Sequence, residues 1–206
     1  MAEQIYERAL TTVQRVKDRL VITSSTNDAV LLRLVNACTD FIEGQCDRRF
    51  KETTYTNEVH SIVDGQKEVI LNNTPVSALT STQYRAGMPS SPNWTDYPTD
   101  SVELSEDGST GIIHAFGRLV RGSNAFRATY TAGYKINFAN AGDMNTHTLP
   151  ADITDLCERL VVRVWKRREA EGKTSEGING SNIGWAKELN EEDKMILNKY
   201  TITKYF

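Results

Sequence analysis

Several things this sequence lacks narrow its identity before any motif is read. No apolar run approaches the ~18–20 residues that a membrane-crossing helix needs. The opening MAEQIYERAL has neither the basic start nor the apolar block of a secretory signal. Cysteine is scarce: Cys38, Cys46 and Cys157 are an odd number with no C-x-x-C pair. That argues for buried free thiols in a reducing compartment, not a disulfide framework. Positive charge is not in excess, since 24 Lys+Arg stand against 27 Asp+Glu for a net −3. A generally basic nucleic-acid binder is therefore not expected; the balance leaves room for local patches. The three histidines, His60, His114 and His147, are far apart and share no metal-ligand spacing with the cysteines. No nucleophile elbow is present. Gly172-Lys173-Thr174 resembles the end of a phosphate loop, but Arg167 stands where the upstream glycine belongs and the segment closes a helix instead of opening one. The expectation is a soluble, unexported protein with no catalytic residues, cofactor or metal.

What is present is organised around Leu149 to Gly172. Ile153, Leu156, Cys157, Leu160, Val161, Val164 and Trp165 fall three and four residues apart, the spacing of one broad helical face. Pro150 suits the first turn. Asp152 and Asp155 place negative charge at the positive end of the dipole, Lys166, Arg167 and Arg168 place positive charge at the other, and Gly172 offers a left-handed stop. The opposite face, with Arg159, Arg163 and Lys166, reads as cationic, either solvated or bridged to a neighbouring subunit.

In chain order, Glu3 to Leu20 reads as a helix with Ile5, Ala9, Leu10, Val13, Val16 and Leu20 inward and Arg8, Arg15, Lys17 and Asp18 outward. Ser25 and Asp28 have capping-box spacing. A second helix follows from Asp28 to Cys46, with Leu31, Leu34, Val35, Cys38, Phe41 and Ile42 as its apolar side. After Arg49 the helical period gives way to β-branched and aromatic residues. Strands are expected at Lys51–Ile62, Glu68–Leu71, Val76–Tyr84, Val102–Leu104 and Ile112–Phe116. A hairpin is expected where Leu119–Arg121 and Phe126–Tyr130 flank Gly122-Ser123-Asn124. Asp64-Gly65 and Asp107-Gly108 mark tight turns. Ala86 to Asp100 reads as a long loop carrying Trp94 and Tyr97, Asn137 to Thr148 as a polar linker, and Lys173 to Gly184 as a mobile segment. A last helix runs from Glu191 to Lys199, capped by Asn190 and burying Met195, Ile196 and Tyr200.

The expected fold class is α+β: a discontinuous helical bundle (1–49 with 148–206) and an all-β small barrel or sandwich (50–147) inserted between the second and third helices. Tyr200, Ile202, Tyr205 and Phe206 form an aromatic terminus that needs cover, on this chain or on a partner. Trp165 and Trp185 read as core or interface anchors.

Three patterns in this order carry a family resemblance. They are the opening helices ALTTVQRVKDRL and NDAVLLRLVNACTDFIEGQCDRRF; the strand start LNNTPVSAL; and ATYTAGY followed, after a variable linker, by LPADITDLCERLVVRVWKRREAEG. The chain is similar to the head-to-tail connector (adaptor) proteins of tailed bacteriophages, in the version with an inserted β-domain. The resemblance implies a structural virion protein, made in the host bacterial cytoplasm and located at the neck of the portal vertex. It implies a homo-oligomeric ring, typically a dodecamer, beneath the portal protein. Such a ring extends the channel through which genomic DNA passes transiently and presents a platform for the next neck, stopper or tail protein. On that reading Trp185, Tyr200, Ile202, Tyr205 and Phe206 meet the portal, and Arg159, Arg163, Lys166 and Arg167 line a subunit boundary or the lumen. Trp94 and Tyr97 sit on a distal or inter-subunit loop. The competing readings are another neck or tail-completion protein, a DNA-binding protein using the basic face of helix 151–171, and an enzyme whose site the fold assembles from distant residues.

Overall fold

The computed structural model describes residues 4–86, 93–105, 108–168, 175–178, 181–184 and 189–201. They form two compact units, one of Lys51–Tyr134 and one of the described residues on either side of it. The architecture is mixed α and β: the flanking residues carry the α-helices and a two-stranded antiparallel sheet, and the unit between them carries two larger antiparallel sheets.

In the helical unit, α3 (Ala151–Arg167) packs against α1 (Val13–Leu20), α2 (Asp28–Gln45) and α4 (Glu191–Tyr200). Ile153, Leu156, Cys157, Leu160, Val161 and Trp165 are buried, each large aliphatic contributing roughly 1.5–3 kcal/mol. Val164, expected on the same face, is 46% exposed, because it lies at the margin of the stripe. Residues 169–172, and with them the Gly172 stop, lie outside the described residues.

The first helix is shorter than its periodicity suggests. It starts at Val13, where the Thr12 hydroxyl accepts the Arg15 N–H, and not at Glu3. The preceding segment spends its backbone groups on α2 instead. Tyr6 N–H donates to Asn36 Oδ1, Asn36 Nδ2 donates to the Gln4 carbonyl, and Leu10 N–H donates to Thr39 Oγ1. Lys17, read as outward, is buried with its ammonium on Asp28 at 2.9 Å. Asp28 is thus taken by Lys17 and no capping box forms with Ser25; Asn27 precedes α2 without a side-chain cap. In α4 the capping box is real, Asn190 and Asp193 bonding each other's backbone N–H. Of the residues expected to be buried there, Tyr200 is buried and Ile196 half-buried, but Met195 is 72% exposed and Leu197 is buried in its place. The backbone of β8 (Ser175–Ile178) and β9 (Ser181–Gly184) forms an antiparallel hairpin where a mobile segment was expected. Residues 135–148, read as a linker of the insert, belong with the helices. They close on themselves, Lys135 N–H on Thr148 Oγ1 and Thr148 N–H on the Lys135 carbonyl, both at 2.9 Å.

The β unit holds two antiparallel sheets. One has the order β1-β7-β3-β4, from β1 (Thr53–Ile62), β7 (Gly122–Ala132), β3 (Val76–Tyr84) and β4 (Thr95–Asp96). The other has the order β2-β6-β5, from β2 (Glu68–Ile70), β6 (Ile112–Ala115) and β5 (Val102–Leu104). Both feed one cluster that includes Ile62, Val69, Leu71, Ile113, Phe126 and Tyr130. The anticipated hairpin at Gly122-Ser123-Asn124 does not form. β7 is one unbroken central strand between β1 and β3, and Asn124 N–H donates to Ser61 Oγ in place of a turn bond. Nor is Ala86 to Asp100 wholly a loop: Thr95 and Asp96 pair with Tyr84 and Gln83 as β4.

Candidate interface surfaces

The residues proposed to meet partners do not lie on one surface. Arg159 and Arg163 do not form a solvated cationic face. Asp193, fully buried on α4, stands 2.9 Å from Arg159 Nη1 and 2.9 Å from Arg163 Nη2, and Arg159 Nε adds Asp155 at 2.9 Å. Both guanidiniums thus clamp α4 to α3, which weakens their assignment to a lumen or to a DNA-binding face. Lys166 is exposed and Arg167 half-buried.

Tyr200 is also committed within the chain. It is 9% exposed, its ring centroid 6.0 Å from that of Phe50, and its hydroxyl donates to Asp152 at 2.8 Å. Burial resists ionisation of Asp152, but the hydrogen bonds from Lys199 and Tyr200 outweigh it and hold its pKa below the usual carboxylate range. Tyr200 is therefore a fastener of the last helix and not part of an open tail. Trp185, Ile202, Tyr205 and Phe206 lie outside the described residues.

Two further carboxylates hold arginines in the helical unit, and sequence reading missed both. Glu43 on α2 is buried and takes Arg8, Arg49 and the Phe50 N–H. Glu158 on α3 is buried and takes Arg15 Nε at 2.7 Å, Arg19 Nη1 at 3.3 Å and the Thr11 hydroxyl at 3.1 Å. Each acid sits on the buried side of its helix next to apolar neighbours, a pattern that could have marked it, since an unpaired buried charge is prohibitively costly.

Among the described residues, α2 carries a second apolar stripe that is partly exposed. Leu31, Val35, Cys38 and Ile42 are buried, but Val30 and Leu34 are half-buried and Ala37 and Phe41 exposed, at spacings of four, three and four. This second apolar stripe lies about 100° round the helix from the first. Ile5 and Tyr6 are each more than a third exposed, and Tyr6 bonds Asn36 and Asp40 on another side of the same helix.

In the β unit Trp94 is half-buried, with the guanidinium carbons of Arg85 and Arg127 at 4.9 and 4.3 Å from the ring centroid. Tyr97 packs on Tyr84 and Phe126, and its hydroxyl accepts the Val120 N–H at 3.0 Å, so it is an anchor of the fold.

The histidines are dispersed. His60 Nε2 meets Glu58 Oε1 at 2.8 Å, and the partly exposed His114 lies with its Nδ1 3.4 Å from Glu68. His147 accepts the Asn137 N–H, and burial, with Arg15 nearby, pushes its pKa below the ordinary histidine value. Cys38, Cys46 and Cys157 are free and buried. Burial pushes the thiols of Cys38 and Cys46 up to about 11 and that of Cys157 higher still. Among the described residues no group of three or more His, Cys, Asp or Glu is placed to hold a metal, and no helix is long and apolar enough to cross a membrane.

Comparison with known proteins adds two matches. A family model described as head completion protein matches residues 9–202. Among solved structures nine chains match. One comes from a structure described as the neck of an empty GTA particle computed with C6 symmetry. The likeness covers 100% of this chain and 96% of that one, with a TM-score of 0.60 at 15% identity, a likeness of fold. No curated protein matches the chain.

Proposed function

Since the chain belongs to the head completion protein family, we propose that it is a structural protein of the head-to-tail neck of a phage-like particle. In this reading copies form a ring under the portal protein, extend the DNA channel and offer a platform to the next neck or tail protein. The β unit is an insert in the sequence of the helical bundle. The fold likeness to a chain of a particle neck supports the location.

The observation that carries the ring is the second apolar stripe of α2, partly exposed among the described residues. Val30, Leu34, Ala37 and Phe41 repeat at helical spacing and are half-buried or exposed among the described residues. A stripe of this kind on a monomer is ordinarily an interface. A cyclic assembly covers such a stripe on every subunit by using the same two patches throughout. Lys166 and Arg167, at the end of α3, remain assigned to the subunit boundary or lumen. The segments holding Trp185, Ile202, Tyr205 and Phe206 are assigned to the portal.

The test is native mass measurement of the chain alone and mixed with its portal. Leu34→Asp with Phe41→Asp should leave circular dichroism and Tm nearly unchanged yet prevent ring formation; rings of unchanged mass would overturn the assignment. Removing residues 202–206, which spares Tyr200 and its bonds, should abolish portal attachment, and unchanged co-purification would refute that part.

A further inference from the structure

We propose that residues 135–148 form a histidine-latched loop, closed while the His147 imidazole is neutral and opened when that ring takes up a proton. The inference does not depend on the neck reading.

The loop begins and ends at one point of the helical unit. Lys135 N–H donates to Thr148 Oγ1 and Thr148 N–H to the Lys135 carbonyl, both at 2.9 Å, and buried Leu149 anchors the exit towards α3. A segment of this length with its ends together and its interior packed by its own side chains is an Ω-type loop. Its tip is built on Asp143. The carbonyl of that residue accepts the Thr146 N–H at 3.0 Å and the His147 N–H at 2.8 Å, and its carboxylate accepts the Asn145 N–H at 2.9 Å. Across the interior, Asn137 N–H donates to Nδ1 of His147 at 3.0 Å. His147 is 8% exposed, and its ring lies 5.0 Å from that of Phe138, which opens a single 3-10 turn, Phe138–Asn140.

The bond to Nδ1 fixes the chemistry. A ring nitrogen accepts only when it carries no proton, so His147 is neutral with its proton on Nε2. A proton added at Nδ1 sets N–H against N–H and removes the bond that ties Asn137 to His147. Nothing adjacent compensates. Arg15 of α1 acts on the ring as a like charge, its guanidinium carbon 5.8 Å from the Phe138 centroid. Lys135 Nζ donates to the Asn145 carbonyl at 3.2 Å. Glu158 of α3 is taken by Arg15 and Arg19, and the Asp143 carboxylate by Asn145 and Thr146. Among the described residues neither ring nitrogen meets a carboxylate. Burial, and then Arg15, accordingly hold the ring's pKa below the ordinary histidine value. The two neck bonds carry no titrating group, so acid releases the interior and leaves the ends tied. A site that binds its proton more weakly in the closed loop gives a closure complete above the ordinary value of about 6.5. That closure is lost as the pH falls through the lower closed-state value, with the opening constant rising about tenfold per pH unit between the two.

The test is proton–nitrogen NMR of the full chain from neutral to mildly acidic pH. Long-range imidazole spectra assign the tautomer. Amide exchange, expressed as protection against the unstructured rate at each pH, follows Asn137, His147 and Thr148. The Nε2–H tautomer is expected at neutral pH. Below about pH 6.5 protection of the Asn137 and His147 amides should fall by up to tenfold per pH unit, while Thr148 changes less. The side-chain oxygen of His147→Gln can accept from Asn137 without titrating, so this variant should lose the pH dependence at those amides; His60→Gln should keep it. Asp143, whose pKa the Asn145 N–H holds below the usual carboxylate range, titrates outside this window. A proton on Nδ1 at neutral pH, pH-independent protection in the unaltered chain, or an undiminished pH dependence in His147→Gln would each overturn the proposal. So would equal loss at Thr148, which would make the event unfolding of the whole unit. If the glutamine variant fails to fold, the tautomer and the exchange profile of the unaltered chain decide by themselves.

Discussion

The backbone N–H of Gly133 donates to the carbonyl of Pro75 at 2.9 Å, which joins the two sequence patterns LNNTPVSAL and ATYTAGY at one point of the β unit. Gly133 has φ +112°, and a Cβ there would stand 2.8 Å from the Lys51 carbonyl and the Glu52 N–H. The glycine is required twice over, by its dihedral and by the close passage of the strand that enters the unit. Gly133→Ala should destabilise the protein by about 3 kcal/mol, measured by urea unfolding; a change within about 0.5 kcal/mol would show that the crossing relaxes freely.

Val21 ends α1 in the left-handed region at φ 56°, is 87% exposed, and makes the bonds of a helix stop through its own N–H to Asp18 and the Ile22 N–H to Lys17. A β-branched residue is a poor occupant of that conformation. Val21→Gly should raise stability by about 1 kcal/mol, or roughly 2–4 °C in Tm. A lowered Tm by scanning calorimetry would contradict the dihedral argument.

Asp193 is the buried end of the clamp from Arg159 and Arg163. Asp193→Ala removes the acid shared by the two guanidiniums, leaving Arg159 with Asp155, and removes half of the α4 capping box. The expected loss is about 3–5 kcal/mol, with hydrogen exchange rising first in α4. Retained protection of α4 amides would mean that Leu197 and Tyr200 suffice to hold the helix.

Acid should loosen the β unit through Glu58. Burial resists its ionisation, but hydrogen bonds from His60, Tyr130 and the Asn72 N–H prevail and hold its pKa below 4.5. A carboxylate depressed in the folded state adds stability that is complete above its unfolded pKa and is lost as pH falls through the folded value. Unfolding free energy should therefore drop below about pH 4.5, and Glu58→Gln should flatten that limb. An identical pH profile in the variant would remove Glu58 from the account.

Much of the fold was legible because local rules decided it. The strands Val76–Tyr84 and Val102–Leu104 lie where expected, since β-branched runs between turn residues leave few alternatives. The Asn190 cap was legible because its partner Asp193 lies three residues on. The hairpin of β8 and β9 was not anticipated, although Asn179 and Gly180 between the strands are the dipeptide most favoured for such turns. Gly122-Ser123-Asn124 misled in the opposite sense, because there β7 continues alongside β1, Gly122 pairing with Ile62 and Asn124 N–H bonding Ser61 Oγ.

The candidate surfaces were less legible, for a reason visible on α2 and α3. Periodicity assigned Leu34 and Phe41 to the same side as Leu31 and Ile42, yet a helix apolar over two adjacent stripes can bury only the one its neighbours reach. Arg159 and Arg163 looked like an open basic face because their acid comes from α4, thirty or more residues away.

The order of residues by itself determined the helical and strand periods, the glycine and asparagine stops, the free thiols and the absence of an overall basic character, all properties set within a few positions of one another. Only the tertiary structure decided which apolar stripe stays partly exposed, which arginines are spent on buried carboxylates and which two stand against Trp94. Those outcomes depend on groups distant in the chain meeting in space, where burial fixes the worth of a charge or a methyl group.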